Sequence, residues 1–147
     1  MTPEVEIRAA RASDLDAIHR LEQASFPVPW RREFFASELE QSGRLCLVAT
    51  RGGVVIGYAF AMTVVDEMHI NKIAVVETER RMGIAHSLMN ICIDAARRRG
   101  VAVLSLEVRQ SNIGAQEFYR HLNFEPSYVR RRYYPDGETA VVMTRKI

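Results

Sequence analysis

Residues 73–93 read IAVVETERRMGIAHSLMNICI. Three apolar residues, Ile73-Ala74-Val75, lead into a polar turn from Glu77 to Met82. Gly83 follows, and then Ile84, Leu88, Ile91 and Ala95 recur at helical spacing. Gly100 sits where a helix takes its C-terminal cap, and VAVLSLEVR (101–109) then reads as a strand. A strand over 67–75 precedes the helix. The unit 67–109 is therefore strand, helix, strand, and such a crossover joins two parallel strands. Within it, Arg80-Arg81-Met82-Gly83-Ile84-Ala85-His86 places backbone N–H groups at the start of a helix. Free N–H groups at the positive end of the dipole attract an anion, and Gly83 and Ala85 carry little bulk in its way. The arginine pair adds charge-assisted hydrogen bonds. The stretch is neither a Walker loop nor GxGxxG, which argues against a nicotinamide cofactor. From spacing alone, an ordinary solvated turn explains it equally well.

Working outward, VEIRAA (5–10) reads as a first strand. Ser13 starts a helix, with Asp16 three residues on as a variant capping box, and Leu15, Ile18 and Leu21 form its apolar stripe. Phe26-Pro27-Val28-Pro29-Trp30 ends that helix, because prolines cannot continue it. A shorter helix over 31–40 carries Phe34, Phe35 and Leu39. Residues 45–50 and 54–64 form a hairpin about Gly52-Gly53. A short helix over 112–122 and strands over 124–134 and 139–146, joined at Pro135-Asp136-Gly137, complete the chain. The order β-α-α-β-β-β-α-β-α-β-β predicts an α/β fold. Its sheet is mixed and mostly antiparallel, holds one parallel pair and is flanked by helices.

At 147 residues, 48% hydrophobic and 26% charged, the chain has the size of one domain, 1–147. It has no run of about 18 apolar residues, which excludes a transmembrane helix. MTPEVEIRAA lacks the apolar segment of a signal peptide. Cys46 and Cys92 form no CxxC pair, so no zinc or redox framework is expected and the setting is read as cytoplasmic. His19, His69, His86 and His121 have no metal-ligand spacing. His86 falls at the anion loop, and the other three read as structural or exposed. The net charge is +2, although 18 of the 20 basic residues are Arg. Arg97 to Arg99 suit a helix C-terminus, and the near-balanced charge argues against direct nucleic-acid binding.

The pattern Arg80-x-x-Gly83-x-Ala85 resembles the pyrophosphate-binding signature of the GCN5-related N-acetyltransferase (GNAT) superfamily. Leu106-Glu107-Val108-Arg109-x-Ser111-Asn112, then Ala115, Phe118-Tyr119 and Asn123-Phe124, resembles the second half of that family. So does Arg131-Arg132-Tyr133-Tyr134-Pro135-Asp136-Gly137-Glu138-x-Ala140. With Phe26-Pro27-x-Pro29-Trp30, these stretches resemble the RimI branch, whose members acetylate the N-terminal alanine of a small-subunit ribosomal protein. Ala85 stands where that branch often has Gly. Asn123 stands where Gly is usual, and Asn tolerates the left-handed conformation.

The resemblance implies a GNAT fold and an acetyl-CoA-dependent transfer to the α-amine of a protein N-terminus, with no metal. A monomer or weak dimer is expected. Residues 80–86 would hold the diphosphate, and Ile73, Ala74 and Val75 would pair with the pantetheine arm. The oxyanion donor would be a backbone N–H near Val75. Glu107 matches the family's base. Strand alternation puts it on a polar face with Ser105 and Arg109, and without the resemblance it reads as a surface Glu paired with Arg109. Tyr119 matches the thiolate-facing acid; by periodicity it is a core tyrosine. Asn112 resembles a contact to the cofactor arm, and it also reads as a plain N-cap. Trp30 and Tyr134 border the peptide site in this branch, where hydrophobic packing is the alternative. At pH 7.5, neutralising an α-amine costs under roughly 0.7 kcal/mol and neutralising a lysine about 4 kcal/mol. An enzyme can supply that difference. A GNAT acting on lysine or a small amine, or a non-catalytic acetyl-CoA sensor, therefore stays open.

Overall fold

The computed structural model describes residues 2–147. Seven strands form one sheet: β1 (Val5–Ala9), β2 (Arg44–Arg51), β3 (Val54–Val64), β4 (Glu67–Val75), β5 (Val103–Arg109), β6 (Glu125–Arg130) and β7 (Ala140–Lys146). Their order is β1-β2-β3-β4-β5-β7-β6. Four α-helices accompany them: α1 (Leu15–Ser25), α2 (Arg32–Glu40), α3 (Ile84–Arg98) and α4 (Ile113–His121). All neighbours are antiparallel except β4 and β5. The mixed sheet with a single parallel pair agrees with the expected fold class.

Each face of the sheet carries its own core. Ile84, Leu88, Met89, Cys92 and Ala95 of α3 bury against Met68, Ile70 and Val75 of β4 and Leu104, Leu106 and Val108 of β5. On the opposite face, Leu15, Ile18 and Leu21 of α1 and Phe35 of α2 meet Val48, Tyr58, Phe60 and Ala74. The helical spacing read from Ile84 to Ala95 is the face that packs. Gly100, at φ +70°, ends α3, and the Val101 N–H bonds the Ala96 carbonyl at 2.9 Å. Gly52 and Gly53, at φ +58° and +81°, make the β2–β3 turn. Asn123 takes φ +65°, the left-handed conformation that Asn tolerates.

Two features position the site. First, β4 and β5 pair only over Glu67↔Val103, Met68↔Leu104 and His69↔Ser105. Beyond that the strands part, and the edge of β4 from Ile70 to Val75 has no partner in β5. Second, β4 carries a bulge. Phe60 faces Lys72 and Ala61 faces Ile70, so Asn71 has no partner on β3. The extra residue reverses the alternation. Met68 and Ile70 face α3, whereas Lys72 and Ala74 face α1 and α2.

Three local expectations are corrected. Ser13 and Asp16 do not cap α1. Residues Ala12–Asp14 form a 3₁₀ turn, and the Asp14 carboxylate takes the Arg11 N–H at 2.8 Å and the Arg8 guanidinium at 2.7 Å. Asp16 instead pairs with Arg32 at 2.7 Å. The strand expected over 124–134 stops at Arg130. Residues 131–139 form a loop, because Arg132 adopts φ +53° and Arg109 holds the loop's acidic side chains. The strand expected from 101 starts at Val103, after Val101 has closed the end of α3.

Candidate active site

The parting of β4 and β5 opens a cleft of about 720 Å³, lined by Trp30, Ile73, Glu107, Asn112, Tyr119 and Tyr134 among others. Six residues widely spaced in the chain thus meet in one place. The 80–86 loop does not line this cleft; it lies at the start of α3.

Glu107 projects from β5 toward the α1–α2 side, since Leu106 and Val108 point into the α3 core. Its carboxylate is mostly buried and meets the Nε2 of His69. Arg130 approaches the other oxygen at 3.5 Å. The pairing of Glu107 with Arg109 is not observed. Arg109 instead holds Asp136 and Glu138, each at 2.8 Å. His69, read from sequence as structural or exposed, is the residue that reading missed. Parallel pairing sets His69 beside Ser105, two residues before Glu107 on the same face. Asn71, the bulge residue, bonds its Nδ1. Burial works against a charged His69, but the hydrogen bonds it donates to Glu107 and Asn71 and the charges of Glu107 and Glu67 outweigh it, and its pKa is raised. No spacing in the sequence marks it, because Glu107 lies on another strand and meets it only where β4 and β5 pair.

Tyr119 packs edge-on against Phe118 and Phe124 and lines the cleft. Burial, and then Tyr134, push its pKa up, so it holds its proton at neutral pH. Tyr134 lies against the Arg109 guanidinium at 4.1 Å and meets the Tyr133 ring edge-on, and burial pushes its pKa up to about 12. Asn112 caps α4, its side-chain oxygen accepting the Ala115 N–H at 3.1 Å, and it lines the cleft as well.

Trp30 stands on the opposite wall, and its loop is anchored from below. Glu22, 0% exposed on α1, accepts the Trp30 N–H at 2.9 Å, the Tyr58 hydroxyl and the Lys72 ammonium at 2.9 Å. Lys72 lies 3.9 Å from the Phe26 ring centroid. Burial lowers the Lys72 pKa, with Glu22 opposing that change. The bulge at Asn71 is what turns Lys72 toward Glu22.

Past Val75, the chain turns through the 3₁₀ turn Glu77–Glu79 to α3. The Arg80 Nε bonds the Val75 carbonyl at 3.0 Å, and Glu79 is held by Arg51 at 3.1 Å. Arg81 takes φ +66° and Gly83 φ +79°. A side chain at Gly83 would have open space, so this position needs glycine for its backbone conformation more than for lack of bulk. No side chain caps α3; its first intrahelical bond of this turn is from the Ser87 N–H to the Gly83 carbonyl, at 2.9 Å. The N–H groups of the first turn therefore remain available to an anion. Met82 and His86 are exposed there, and His86 contacts Asn90 at 3.2 Å. Ile84 is buried and Ala85 packs against the same core. Among the described residues, no group of three or more His, Cys, Asp or Glu side chains is placed to hold a metal. No helix there is long and apolar enough to cross a membrane.

The acetyltransferase (GNAT) family model matches residues 15–124. The chain is 36% identical to the ribosomal protein bS18-alanine N-acetyltransferase of Escherichia coli (strain K12), covering 96% of this chain and 97% of that one. It is 33% identical to an N-alpha-acetyltransferase of Sulfurisphaera tokodaii, covering 95% and 92%. The crystal structure of the ribosomal-protein-S18-alanine N-acetyltransferase from Escherichia coli superposes with a TM-score of 0.89 at 35% identity, covering 98% of this chain and 94% of that one. That of Ard1 from Thermoplasma volcanium gives 0.92 at 26% identity, covering 97% of each. The sheet that parts between β4 and β5, the uncapped helix beyond it and these likenesses lead to one assignment: the chain belongs to the acetyltransferase (GNAT) family.

Proposed function

We propose that this chain is a protein N-terminal acetyltransferase, working as one domain in the cytoplasm, as a monomer or weak dimer. It moves acetyl from acetyl-CoA to the α-amine of a protein N-terminus, and the alanine terminus of a small-subunit ribosomal protein is its leading substrate. The observation that carries this reading is the cleft itself. It sets a half-buried carboxylate–imidazole pair and a proton-holding tyrosine beside the unpaired edge of β4. The acetyltransferase relatives in bacteria and archaea support an N-terminal substrate.

The chain's residues fit the donor. The free N–H groups from Gly83 to His86, with Arg80 and Arg81, would hold the diphosphate, and the free edge of Ile73, Ala74 and Val75 would pair with the pantetheine amides. Asn112 would touch the same arm. Bound there, acetyl-CoA supplies an acyl carbon activated by its thioester. Glu107, coupled to His69, takes the proton of the incoming ammonium, directly or through a water. A backbone N–H near Val75 receives the carbonyl oxygen as it gains charge. Tyr119 gives its proton to the departing sulfur. Trp30 and Tyr134 hold the first residues of the peptide between them.

Mass spectrometry of peptides incubated with acetyl-CoA tests the reading. The panel has free N-termini beginning Ala, Ser and Met, each with an internal lysine, and copies with blocked N-termini. The expected result is one acetyl group on free N-termini only, with Ala favoured. Acetyl-lysine in the blocked copies would move the assignment to a lysine acetyltransferase. No reaction with any peptide, while acetyl-CoA still binds, would point to a small-amine enzyme or a sensor.

A further inference from the structure

On the α1–α2 side of the sheet, helices cover β2, β3 and part of β4. They leave bare the strip formed by β5, β7, β6 and the first residues of β4. A second groove of about 330 Å³ runs along this strip. His69, Glu107 and Tyr133 line both this groove and the reaction cleft, so the two adjoin. Met62, Val64, Tyr128 and Val142 give it an apolar wall, and Glu67, Ser105 and Arg130 complete its lining. Val64 is 57% exposed, Tyr128 54% and Tyr133 45%, an unusual concentration of open apolar surface beside a reaction centre.

We infer that this groove is a second substrate subsite. It receives an aromatic or large aliphatic side chain from the third to fifth residue of the protein being acetylated. The inference rests on the N-terminal acetyltransferase reading and adds the feature by which the enzyme reads beyond the first residues. Length supports it. Glu107, where the amine reacts, lies four residues along β5 from Val103, which is level with Glu67 at the far rim of the groove. Four strand residues span about 13 Å, and an extended peptide covers that distance with about four residues of its own. The occupant follows from that adjacency: a chain whose amine is held at Glu107 and whose first residues lie beside Tyr134 passes Tyr133 to reach Val64 and Tyr128. Exposed Val64, on the hairpin between β3 and β4, belongs to neither the reacting groups nor the donor site, and so it isolates the groove.

The test compares Ala-starting hexapeptides that carry Phe or Ser at residue 3, 4 or 5 with a tripeptide amide too short to enter the groove. Wild type is expected to show a kcat/KM at least fivefold higher for Phe than for Ser at one of these positions. Val64→Asp, which makes the wall polar, and Val64→Trp, which fills the groove, should reduce that preference to within twofold. Both should leave the tripeptide amide within twofold of wild type. Equal use of Phe and Ser at all three positions would overturn the subsite. So would a preference that survives both variants, or a loss on the tripeptide as large as that on the hexapeptides. If wild type acetylates neither hexapeptide nor tripeptide while it still binds acetyl-CoA, the N-terminal acetyltransferase reading itself falls and takes the subsite with it.

Discussion

In the proposed mechanism Glu107 and Tyr119 carry the proton transfers, and their surroundings say how each should respond to change. Glu107→Gln keeps the shape and the His69 contact but cannot take a proton. It is expected to lower kcat by about 10²-fold or more, while leaving the acetyl-CoA dissociation constant within about twofold of wild type. Pre-steady-state acetylation with direct measurement of donor binding separates the two quantities. Tyr119→Phe should slow the same single-turnover step, because it removes a proton that burial keeps in place. His69 gives a pH signature. Its folded pKa is raised, so the stability it contributes is fully present below about pH 6.5, the ordinary histidine value. That stability is lost as pH climbs through the folded value. The melting-temperature gap between wild type and His69→Gln should therefore be wider at pH 5.5 than at pH 9, and turnover should rise over the range where the gap closes. At this scale alternation told which face of β5 carries Glu107, and the glycine before a helical period marked Gly83 as the start of α3. The sequence was silent on His69, because its partner lies 38 residues away and the contact exists only once β4 and β5 pair.

Among the elements, β4 does the most to build the site. Its parallel pairing sets His69 beside the Glu107 carboxylate, and its bulge leaves Asn71 on His69 and turns Lys72 to Glu22, which in turn fixes the Phe26–Trp30 loop. None of this was readable in MHINKIAV, which contains neither Gly nor Pro and alternates too weakly to declare an extra residue. Nor did Glu22 stand out, since a single carboxylate on a helix reads as solvated until the helix is placed against Tyr58. Lys72→Met leaves Glu22 buried beside Tyr58 without its cation, a change that costs about 3–5 kcal/mol in comparable buried pairs. The milder Lys72→Arg should keep the fold and disturb the loop. Its expected signature is an altered emission from Trp30, the sole tryptophan, and a peptide KM raised severalfold with kcat nearly unchanged. In the donor loop, Gly83→Val forces a β-branched residue into φ +79°. A strain of about 1–2 kcal/mol should appear as weaker acetyl-CoA binding, read by calorimetry.

Across the whole molecule, the order of strands and helices was legible because hydrophobic period, prolines and glycine turns all agreed. The two-sided core and the short β4–β5 pairing were not, since both depend on contacts between distant segments. The opening between those strands leaves backbone groups that a donor would satisfy. Acetyl-CoA at a hundred times its dissociation constant should stabilise the fold by about 2.7 kcal/mol, and a rise in melting temperature would show it. The preference for arginine over lysine takes on a different meaning beside that donor. A thioester acylates any neutral amine it meets, and guanidinium groups do not lose their protons at neutral pH. Of the two lysine side chains, Lys72 is only 15% exposed and is clasped by Glu22, which leaves Lys146 as the open one. The enzyme is in this sense inert toward its own reagent: prolonged incubation with excess acetyl-CoA, followed by peptide mapping, should find lysine damage at Lys146 and leave Lys72 unmarked.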